Sequence, residues 1–112
     1  MESTLVVVKG EFGRSPKIQT KGAPGRVHWP ECFPAILAGA GIRGGAVYGE
    51  TDKIGAYVKN KPVRPQDLGA TIYTALDVPL DTRWGKDGVS LPITTVEPVR
   101  DLNGENREEP AQ

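Results

Sequence analysis

Cysteine, histidine, long apolar runs and net charge are scarce or missing in this 112-residue chain. Cys32 is the only cysteine, so no internal disulfide can form and a C-x-x-C zinc site is excluded. His28 is the only histidine. A catalytic zinc takes several His or Cys ligands, so this chain alone is not expected to complete such a site. The longest aliphatic run, Leu5 to Val8, is far short of the ~18 residues of a membrane helix. It is also too short for the apolar segment of a secretory signal. Basic and acidic residues number 14 each, and the net charge is zero. Such a balance gives no overall footprint for nucleic acid or for an anionic membrane.

Glycine and proline are abundant instead, at 14 and 10 residues. Leu, Ile, Val and Phe make up 26 of the 112 residues, just above the level at which disorder is the default. A modest core and long loops follow. The length suits one small domain or a portion of a larger one.

Residues 4–10, with three consecutive valines, read as a strand buried on both faces, broken by Gly10. Residues 10–34 carry eight glycines and prolines, and no period survives there. The expectation is a long functional loop. Residues 33–42 read as a short apolar strand ending in glycines, and 46–49 with 54–59 as short strands or a hairpin. Residues 65–76 form the clearest element, a helix. Pro65 suits its first position, Asp67 complements the dipole, and Leu68, Ile72, Ala75 and Leu76 make an apolar stripe. Residues 89–99 hold one more extended segment, and the polar stretch 100–112 reads as a frayed tail.

Four features carry possible chemistry. Glu11 lies just past the first strand, where a carboxylate can ligate a metal, act as a base, or pair with Arg14. His28, in GRVHWP, is a metal ligand or acid/base candidate, or a loop histidine packed on Trp29. Arg14 and Arg26 flank the loop, and either can bind an anionic oxygen or stay solvated. The glycine-rich GAGIRGG at 39–45 lacks the Lys-Ser/Thr of a P-loop and is followed by no amphipathic helix, so it reads as tight turns.

The ordered segments GEFGRSPK, GRVHWP, ILAGAGIRGGAVYGETD and PVRPQDLGATIYTALDV resemble the carboxyl-terminal part of domain-of-unknown-function family 1501. The likeness runs over about residues 4–78. Its members are sulfatase-like proteins of the alkaline phosphatase superfamily. The resemblance implies an α/β fold, the carboxyl-terminal portion of a loop-rich parallel-sheet sandwich over residues 1–99, with 100–112 as tail. It further implies hydrolysis of a phosphate or sulfate ester with a divalent metal held at strand ends. Glu11 and His28 would be partial metal ligands and Arg14 a substrate contact. A missing amino-terminal half would be the partner and supply the other ligands, leaving the chain inactive alone; neither nucleic acid nor a membrane is expected as partner. A non-catalytic remnant or binding module is the alternative.

Two departures stand out. Val27 occupies the position of an Asp before the histidine, and Asp77 that of the glycine closing the helix. If the missing acid orients His28, its replacement is expected to come from Glu31 or Asp52.

Overall fold

The computed structural model describes residues 2–86 and 88–104, in two compact units. One unit comprises Met1–Val6, Ala38–Ala46 and Val63–Gln112, and the other Val7–Leu37 and Val47–Pro62. Strands β1 (Leu5–Lys9) and β4 (Ala35–Gly39) pair with each other. β1 lies where the valine run places it, but it is not buried on both faces. Leu5 and Val7 are half-buried, while Val6 and Val8 are 41% and 56% exposed. With a single paired neighbour, the strand lacks the covering layers that such an apolar sequence fills elsewhere.

In the second unit, β2 (Gly13–Arg14) and β3 (His28–Trp29) pair antiparallel, Gly13 with Trp29 and Arg14 with His28. This ladder organises the segment expected to be loop. The Ser15 N–H continues it by donating to the Val27 carbonyl at 2.8 Å. The Val27 N–H donates to the Ser15 hydroxyl at 3.1 Å, so the hydroxyl stands in for a carbonyl that Arg26 has taken. Further along, Gln19 and Gly25 exchange both backbone hydrogen bonds, closing the loop. β5 (Glu50–Thr51) and β6 (Val58–Asn60) form the hairpin expected in this region, displaced from residues 46–49 toward Glu50.

The first unit holds α1 (Pro65–Ala75), a second hairpin of β7 (Arg83–Lys86) and β8 (Val89–Pro92), and a 3-10 turn over Arg100–Leu102. α1 starts at the expected proline. Its preceding residue, Arg64, donates its backbone N–H and two guanidinium N–H groups to Asp67. The buried face differs from the expected stripe: Ala70 and Thr71 are fully buried, while Leu68 and Ile72 are half-buried and Leu76 is exposed. The cause is local. The segment Pro98–Val99 is buried too, and the Val99 N–H donates to the Thr71 hydroxyl at 2.8 Å. That hydroxyl in turn donates to the Asp67 carbonyl.

The helix ends in a Schellman pattern. Asp77 N–H donates to Thr74 and Val78 N–H to Tyr73, with Asp77 left-handed at φ 58°. The glycine-rich 39–45 segment makes tight turns, with Gly39, Ala40 and Gly41 all at positive φ. Arg43 N–H donates to the Leu102 carbonyl and Gly104 N–H to Gly41, which ties residues 102–104 to this turn. The rest of the expected tail, 105–112, lies outside the described residues.

Every sheet among the described residues has two strands, and three of the four are antiparallel. The buried apolar side chains are Ala40, Ala70 and Val99 in the first unit and Ala56 in the second. No helix among the described residues is long and apolar enough to cross a membrane.

Candidate functional site: the Arg14–His28 ladder

The pleat divides the β2–β3 ladder into two faces, because successive residues of an extended chain point to opposite sides. Arg14 and His28, being cross-strand partners, share one face. The Phe12 ring packs on the His28 imidazole there, with centroids 4.1 Å apart. The Arg14 guanidinium is exposed and spends one N–H on the Arg26 carbonyl at 3.2 Å. The rest of its planar fork remains available to an oxyanion. Glu11 is exposed in the bend between β1 and β2, immediately before Phe12.

The opposite face carries Gly13, Ser15, Val27 and Trp29. Gly13 is required there. A Cβ at this position would stand 2.5 Å from the Cys32 carbonyl oxygen and 3.1 Å from that of Trp29. Trp29 fixes the ladder by donating its indole N–H to the Ala56 carbonyl at 2.7 Å and by meeting Tyr57 edge-on. Ala56 is itself held by the Asp52 carboxylate, which accepts its N–H at 2.8 Å.

The structure therefore joins Arg14 to His28, as two of the sequence candidates. It also revises the expectation about Val27. A carboxylate at position 27 would project from the face opposite His28 and could not orient the imidazole. Asp52, expected as a substitute partner for His28, directs one carboxylate oxygen to the Ala56 N–H instead, closing the β5–β6 turn. Glu31 is exposed in the turn after Trp29. Phe12 carries no signal of its own in the sequence, because its place beside His28 follows from the strand register.

The donor set is short for a metal. Among the described residues, no three His, Cys, Asp or Glu side chains gather into a group able to hold an ion. Zinc centres take three or four protein ligands, so Glu11 and His28 supply at most part of one.

The model of the family described as "Protein of unknown function (DUF1501)" matches residues 1–98, and the chain belongs to this family. No curated protein matches the chain, and no solved structure matches it.

Proposed function

We propose that this chain carries the oxyanion-recognising edge of a phosphate or sulfate ester hydrolase. Arg14 is the contact to the ester oxygens, and Glu11 and His28 are a partial ligand set for a divalent metal. In this reading a parallel α/β sandwich and the remaining metal ligands come from polypeptide outside these 112 residues, and the chain alone turns over no ester. The observation that supports it is the pairing of Arg14 with His28 on one face of a short, pinned ladder, beside the bend that holds Glu11. A planar guanidinium next to an imidazole suits a tetrahedral oxyanion.

The second reading is a non-catalytic binding module, favoured by the absence of a three-donor group among the described residues. Titration with Mn2+, read by paramagnetic broadening of amide signals, separates the two. The hydrolase reading expects weak binding with broadening centred on Glu11 and His28. Broadening that spares both positions would remove the metal role and leave the binding module.

A further inference from the structure

The loop closed by the ladder carries charge of one sign only. Between Glu11 and Glu31 the sequence has Arg14, Lys17, Lys21 and Arg26 and no acid. Among the described residues the ion pairs are Lys59 with Glu50, Arg64 with Asp67 and Arg100 with Glu97, so none of these four cations is neutralised. In a chain of zero net charge this is a local concentration of positive potential, which attracts anions although the whole molecule does not.

The same loop borders a shallow, open surface cavity of about 400 Å³, lined by Ser15, Lys17, Ile18, Gln19, Thr20, Lys21 and Val27. Its lining combines two chemistries: the cationic residues Lys17 and Lys21 with Thr20, and the half-exposed residues Ile18 and Val27. The backbone is fastened around it. Arg26 donates from one guanidinium nitrogen to the carbonyls of Ser15 and Pro16, each at 2.7 Å. Gln19 donates its side-chain amide to the Lys21 carbonyl at 3.0 Å. The Ser15 hydroxyl donates to the Lys17 carbonyl at 2.9 Å.

We infer that this cavity is a second anion site, on the ladder face opposite Arg14 and His28, for a small amphiphilic oxyanion such as an aryl or alkyl phosphate or sulfonate. Lys17 and Lys21 meet the charge, and Ile18 and Val27 meet the apolar part. Val27 decides the specificity. An aspartate there would place a negative charge in the wall beside both lysines, pairing with them and repelling the ligand. A valine leaves the wall cationic and apolar. The site needs neither a metal nor ester hydrolysis, so it stands or falls apart from the reading of Arg14.

The test is an amide-resolved nuclear magnetic resonance titration of the 112-residue chain with phenylphosphonate, with inorganic phosphate and benzyl alcohol as comparisons. Saturable shifts are expected at residues 17–21 and 27, with phenylphosphonate binding several-fold more tightly than either fragment. Val27→Asp is expected to weaken binding about tenfold while Val27→Asn keeps it within about twofold. Lys17→Gln with Lys21→Gln, both exposed side chains, is expected to abolish it, and this variant keeps the test valid should Val27→Asp fail to fold. Shifts confined to Arg14 and His28 would overturn the inference. So would equal losses in Val27→Asp and Val27→Asn, or retention of binding without the two lysines.

Discussion

Asp77 holds a left-handed conformation at φ 58° that glycine adopts at no steric cost. Both hydrogen bonds of the helix end are made, so the strain sits in the backbone of one exposed residue. Asp77→Gly is expected to raise stability by about 0.5–1 kcal/mol, seen as a thermal midpoint higher by a few degrees. At Gly13 the direction reverses. Its missing Cβ would press on two carbonyl oxygens of the backbone, which cannot swing aside as a side chain does. Gly13→Ala is expected to open the β2–β3 ladder. Faster hydrogen exchange at the Ser15 amide, which donates to Val27, would report this, and unchanged protection would contradict it. Arg14, Glu11 and His28 stand out as candidates in the sequence because their chemistry is intrinsic to the side chain. The face on which each lies was not legible. It depends on pairing register, and a shift of one residue exchanges the faces.

The helix α1 was legible down to its first residue, because Pro65 and Asp67 are local signals that no distant contact has to confirm. Its buried face was not, because a tertiary contact, Val99 on Thr71, selects it over the more apolar stripe next to it. The Thr71 hydroxyl has no exposure and accepts the Val99 N–H. Thr71→Val keeps the shape and leaves that N–H without a partner, so a loss of about 1–3 kcal/mol is expected in urea unfolding. A loss below about 0.5 kcal/mol would show that the contact is not needed. At the helix start, hydrogen bonds from Arg64 hold the Asp67 carboxyl below its ordinary value. A carboxyl depressed in the folded state stabilises it above the unfolded value, near 3.9, and that contribution is lost as pH falls through the lower folded value. Asp67→Asn is therefore expected to lower the melting temperature at pH 7, and its gap to the parent to narrow as the pH falls below the unfolded value. A gap independent of pH would contradict the ion pair. The β7–β8 hairpin was missed although Asp87-Gly88 is a hairpin signal in the sequence. The short alternation of RWGK, with a glycine inside it, hid the first strand.

At the scale of the whole molecule, no Leu, Ile, Phe or Trp among the described residues is buried. The apolar terms that normally offset chain entropy are correspondingly small. The composition, low in large aliphatic residues, already pointed this way. The parallel sheet implied by the family resemblance could not be judged from local patterns, since pairing in a sheet is decided between distant segments. A broad thermal transition below about 60 °C is expected for the 112-residue chain, and a sharp one above it would contradict the small core. The proposed function rests on Arg14, set opposite His28, as the group that would meet a tetrahedral oxyanion. Its most direct test is titration with inorganic sulfate, followed at the Arg14 side-chain and His28 backbone signals, in the parent and in Arg14→Gln. Saturable shifts at both positions, lost in Arg14→Gln while the Ser15–Val27 pairing signals stay in place, are the expected result. Shifts that persist in Arg14→Gln, or none at these two residues in the parent, would contradict it.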